Sequence, residues 1–174
     1  MTNRSPIMIP GAYAKAGPIV FWSLVAGALV AVIAVGANEF LKAGAARRSD
    51  PSDATLVERG RTVYDRHCAA CHGAQLEGQA NWQSRLPNGR MPAPPHDASG
   101  HTWHHPDEVL FGIVKEGLRP GKYAPPGYKS DMPAFGGTLA DDETAAVIAY
   151  IMSRWPREIQ LRQAEIDRNA RTRR

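Results

Sequence analysis

Cys68, Ala69, Ala70, Cys71 and His72 form a C-x-x-C-H run, and its two cysteines are the only ones in the chain. Residues i and i+3 share one side of a helical turn about 5 Å apart along the axis. Each thiol therefore reaches one of two neighbouring vinyl groups on a porphyrin edge. With that edge fixed, the imidazole of His72 falls within reach of the central iron. The pattern predicts covalent attachment of one haem through Cys68 and Cys71, with His72 as an axial ligand.

Other chemistries use parts of the same pattern. A redox dithiol also has C-x-x-C, but it belongs where a strand feeds a helix in a βαβ unit, and Val57 to Tyr64 reads as helix. A zinc site would combine the cysteines with the H-x-x-x-H of His101 and His105, across a stretch far longer than the roughly 12 to 15 residues of a finger. A plain disulfide would close so small a ring that it removes little chain entropy. The haem reading leads.

A second axial ligand must come from elsewhere. Of the five methionines, Met1 and Met8 precede an apolar run and Met152 falls in a helical pattern, which leaves Met91 and Met132 in loops. His96, His101, His104 and His105 cluster in one segment, and any of them would complete a bis-histidine site of lower potential. For His104 and His105, helix entry and surface polarity is the preferred role. Trp103 and its neighbouring histidines are further candidates for walling the haem or meeting a propionate.

These side chains need a scaffold. Asp53 is placed to cap a helix running through Leu56, Val57, Gly60, Val63 and Tyr64 to the C-x-x-C-H. Gly60 costs that helix about 1 kcal/mol against alanine, which points to another helix crossing too close for a side chain. The partner is Asp141 to Trp155, where Ala145, Ile148, Ile151, Met152 and Trp155 recur at helical spacing until Pro156. A third helix is expected from Pro106 to Glu116, stopped by Gly117. No stretch reads as a strand. Gln75 to His105 and Gly117 to Gly137 are rich in Pro and Gly and must be loops. Loops this long are unusual in a compact domain, unless a flat apolar cofactor supplies the surface they wrap.

The arrangement resembles the class I cytochromes c, in particular the bacterial membrane-anchored mono-haem kind. The resemblance covers about Ala54 to Trp155. It rests on Gly60 and Tyr64 ahead of Cys68 to His72, on Asp131-Met132-Pro133-Ala134-Phe135, and on Ala149-Tyr150-Ile151 in the last helix. It implies an all-α fold with N- and C-terminal helices crossing at the glycine and long loops around one haem c. It also implies Met132 as the sixth ligand to iron, and the carbonyl of Pro94 or Pro95 as the group that orients the axial histidine. The implied function is single-electron transfer among redox partner proteins such as a quinol-oxidising complex, a terminal oxidase or a dehydrogenase, with no substrate transformed. A fixed haem subunit of a larger oxidoreductase complex is an equivalent reading. The competing class is a haem enzyme or gas sensor with a displaceable sixth ligand, and Met132 separates the two.

The remaining chain is appended to this domain, residues 54–155. Ile19 to Ala37 is uncharged and long enough to cross a hydrocarbon core of about 30 Å. It reads as a single N-terminal transmembrane helix after a segment of residues 1–18, with 38–53 as a linker. A cleaved signal peptide is the alternative, because Val35-Gly36-Ala37 and Ala43-Gly44-Ala45 resemble cleavage sites. Either way the haem domain is expected in the periplasm, on the bacterial inner membrane if the helix is retained. Residues 51–153 carry 9 basic against 12 acidic side chains, whereas 154–174 carry 7 against 3. Net charge is thus −3 over 51–153 and +4 over 154–174, so the overall +4 is unevenly spread and is no sign of nucleic-acid binding. The tail itself, residues 156–174, reads as a solvated or frayed helix, or less readily as an arm toward acidic lipid.

Overall fold

A computed structural model describes residues 17–46 and 49–173. The segment before Gly17, with Met1, Arg4, Met8 and Lys15, lies outside the described residues, as do Arg47, Arg48 and Arg174. The chain divides into two compact units that meet between Ala43 and Gly44.

The first unit is built on helix α1, Gly17–Ala46. It runs past both ends of the apolar stretch, so residues 38–46, expected as linker, are helical. Its segment Phe21–Leu41 is 21 residues long and unburied within the protein. At 1.5 Å per residue it spans about 30 Å.

The second unit contains α2 (Ala54–His67), α3 (Ala69–His72), a 3-10 turn (Thr102–His104), α4 (Asp107–Glu116), α5 (Asp141–Ser153) and α6 (Arg157–Thr172). Among the described residues there are no strands, and only the isolated bridges Met91–Ser130 and Pro120–Ala124 pair extended backbone. Asp53 caps α2 by accepting from Thr55 N and Leu56 N at 3.0 and 3.1 Å. Pro106 occupies the N-cap of α4 instead of its first turn. Glu143 closes the start of α5 by accepting from Ala140 N at 2.9 Å.

Helix α5 is the centre of the domain. Thr144 through Met152 are all buried, as a helix apolar on every side requires. α2 crosses it at Gly60, where an added Cβ would overlap the carbonyl of Ala146. The close approach inferred from Gly60 is thus present. One turn on, Tyr64 is fully buried with its ring 5.3 Å from that of Tyr150. Val63, Leu110, Leu139, Val147, Ile148 and Trp155 extend the same core.

The C-terminal segment differs from the expected solvated tail. α6 packs against the 3-10 turn. Gln163 is buried and donates to Asp107 Oδ1 at 2.8 Å and His105 O at 3.3 Å. Asp167 accepts from Asp107 N at 3.1 Å and pairs with Arg171 at 2.6 Å. Polar side chains, which hydropathy patterning does not detect, make the attachment.

Candidate haem site

The C-x-x-C-H run forms the short helix α3, entered from the end of α2. Tyr64 O accepts from Cys68 N at 2.8 Å, and Cys68 O accepts from His72 N at 2.9 Å. The Tyr64 hydroxyl donates to Gly73 O at 2.9 Å, fastening the far end of the turn to the helix crossing. Gly73 leaves the turn at φ 80°, a conformation that favours glycine. One aromatic residue therefore links the helix crossing to the motif.

His72 is 7% exposed, and its Nδ1–H donates to Pro94 O at 2.9 Å. Of the two prolines expected, Pro94 supplies the carbonyl. Burial lowers the His72 pKa, with the Pro94 bond opposing. Burial thus favours the neutral ring, and the Nδ1 bond to Pro94 O directs Nε2 to be the metal-binding nitrogen. The Pro94–Pro95 strip is seated by two glycines: Gly78 at φ +68° against the Pro94–Pro95 peptide, and Gly100 against Pro95 O.

His96 stands beside this ligand. Its ring is stacked on that of His72, with centroids 4.0 Å apart and planes inclined by 22°. Its backbone is fixed on both sides, since Leu76 O accepts from His96 N and His96 O accepts from Trp155 Nε1, both at 2.8 Å. Burial lowers its pKa well below the ordinary value, and His72 and His101 add to the effect. Trp155, read from sequence only as an apolar position at the end of the last helix, lies just past the end of α5 at Ser153 and is thus also a polar tie to the His96 segment.

These groups border a cavity of about 700 Å³, within the range of cofactor pockets. Its apolar walls include Leu110, Val114, Phe135, Ile148 and Ile151, and both cysteines lie on its border. Met132 and Met91 both line it as well. The Met132 loop is tied down after the methionine by Phe135 N donating to Val114 O and Gly136 N to Lys115 O, each at 2.9 Å. Within the loop, Met132 N donates to Ser130 Oγ at 3.1 Å. His101 and His105 reach the cavity, and His101 lies flat against Trp82 at 5.6 Å and 11°. Trp103 and His104 are not among the lining residues. Trp103 instead donates to Gly100 O at 3.1 Å and packs on His104.

The competing chemistries fit less well. Burial pushes the Cys68 thiol up to about 11, with Cys71 adding to it, the opposite of the shift that activates a redox dithiol. Among the described residues no three His, Cys, Asp or Glu side chains gather as a metal site, which disfavours zinc. Both thiols are free. A haem fits: the cavity is apolar, two free thiols sit on its border, and a neutral imidazole and two thioethers face it.

Helices and long loops around an apolar pocket, with the C-x-x-C-H run on its border, define the class of protein. The family model for cytochrome c matches residues 57–155, and the chain belongs to that family, which carries covalently bound haem c with its iron. Cytochrome c-555 of Prosthecochloris aestuarii is 30% identical over 105 residues, spanning 56% of this chain and 86% of that protein. Cytochrome c6 of Diacronema lutheri is 28% identical over 104 residues, 56% of this chain and 95% of the relative. A shorter likeness, 56% over 27 residues, links 16% of the chain to 9% of the cbb3-type cytochrome c oxidase subunit CcoP of Azospirillum brasilense. No solved structure matches. The chain is therefore a class I c-type cytochrome, a haem c electron carrier.

Proposed function

We propose that this cytochrome holds its haem through Cys68 and Cys71, ligates the iron with His72 and Met132, and carries electrons at a membrane to which α1 tethers it. The observation that carries the ligand assignment is the cavity shared by both groups: a neutral His72 aimed by Pro94 O at 2.9 Å, and Met132 in a tied loop. Bound haem supplies a one-electron ferric/ferrous couple, whose potential a thioether ligand raises. His72 and Met132 would hold the iron, and the apolar side chains of the cavity would surround the haem and exclude water from it.

The face-to-face stacking of His96 on His72, with centroids 4.0 Å apart, supports a packing role for His96 beside His72 and not a role as the second ligand. The partners are redox proteins of the membrane, and an oxidase is among them by the short likeness to a cytochrome oxidase subunit. The segment Phe21–Leu41 supports a membrane tether by length and apolar composition.

Absorbance of the purified protein tests the reading. The oxidised form is expected to show the weak near-infrared band of His/Met ligation, and the reduced form to exclude carbon monoxide. A protein without the band that binds carbon monoxide at once has an open sixth position and belongs with the haem enzymes or gas sensors.

A further inference from the structure

We propose that Arg90 is a positioning residue that straps the Met132 loop over the haem cavity; this rests on Met132 being the sixth ligand. The loop between α4 and α5 contains no regular element, so the place of its methionine depends on ties at either side. After Met132 the ties are to α4, through Phe135 and Gly136. Before it, they come from a segment 40 residues earlier in the chain. Arg90 Nη1 donates to Ser130 O and pairs with Asp131 Oδ1, each at 2.8 Å. Next to it, Met91 N donates to Lys129 O at 2.9 Å, and Met91 bridges to Ser130.

One guanidinium thus holds the two residues immediately ahead of Met132, and Ser130, whose carbonyl it grips, also accepts from Met132 N. The contacts differ in worth. Asp131 is 70% exposed, and a solvated ion pair contributes little. The partly buried bond from a charged donor to Ser130 O carries more. Arg90 also sets Met91 in the cavity wall by fixing its neighbour, which gives that methionine a packing role without ligation.

The test uses the full-length haem-loaded protein with Arg90→Gln, Arg90→Lys and Asp131→Asn. The near-infrared band and far-ultraviolet circular dichroism are followed together on heating, and carbon monoxide binding is timed on the reduced form. Arg90→Gln is expected to lose the band at a temperature where the helices remain folded, and to admit carbon monoxide about tenfold faster. Arg90→Lys should recover part of this by keeping one charged donor, and Asp131→Asn should stay near wild type. Wild-type band and carbon monoxide behaviour in Arg90→Gln overturns the strap, as does loss of band and helix in a single step. A wild type that lacks the band overturns the Met132 ligation itself, and the strap with it.

Discussion

The side chains proposed to hold the haem are separable by mutation. If Cys68 and Cys71 form the covalent link, as proposed, replacing both by alanine is expected to abolish haem staining on a denaturing gel; persistent stain would refute the attachment. On the proposed ligation, Met132→Ala is expected to open the sixth position. The near-infrared band should disappear, the potential fall and carbon monoxide bind. Met91→Ala removes a thioether from the same cavity and should leave band and potential in place if, as proposed, Met91 only packs there. The motif marked Cys68, Cys71 and His72 as candidates in the sequence, since two cysteines and a histidine at this spacing have few other uses. His96 and Arg90 were not legible in these roles. Their parts are defined by contacts with His72 and Ser130 across 24 and 40 positions, and no local pattern marks a contact of that span.

At the scale of elements, the α2–α5 crossing is the feature on which the site depends. Gly60 announced it because a glycine inside a helix has a cost that only a close approach explains. Gly60→Ala would regain about 1 kcal/mol of helix propensity but place a Cβ against the backbone of Ala146. Backbone cannot yield as a flexible side chain would, so a net loss of about 2 kcal/mol is expected. Thermal unfolding should fall by roughly 10 °C, with the spectrum at room temperature unchanged. An unaltered melting temperature would mean that the helices separate without penalty. α6 follows a different logic, and its docking was hidden for a physical reason. Its large apolar residues are few, and a buried amide makes the attachment. Gln163→Ala leaves Asp107 and His105 O without that donor and should cost about 1 kcal/mol. Thermal melting checks this, and an exposed neighbour such as Arg162→Ala should have no effect.

For the molecule as a whole, one unit carries the candidate haem pocket and the other a helix whose segment Phe21–Leu41 finds no cover within the protein. An uncovered apolar helix of this length is stable in a bilayer, where the hydrocarbon takes the place of a protein core. Retained, it converts diffusion through a volume into diffusion over a surface and raises the effective concentration of the haem domain at membrane partners. Cleaved, it would leave a carrier free to move between membranes. The helix continues through Ala46, so the small-residue sites at Val35-Gly36-Ala37 and Ala43-Gly44-Ala45 both lie in helical backbone. Extended backbone suits a protease better than helix does, and on this ground the uncleaved form is expected. Washing membranes at alkaline pH in carbonate strips peripheral proteins and leaves spanning ones. The haem-stained chain should stay in the pellet at full length, 18.9 kDa plus haem. Recovery of a soluble haem protein whose first residue lies near Asn38 or Ala46 would show that the helix is a signal and that the carrier works unanchored.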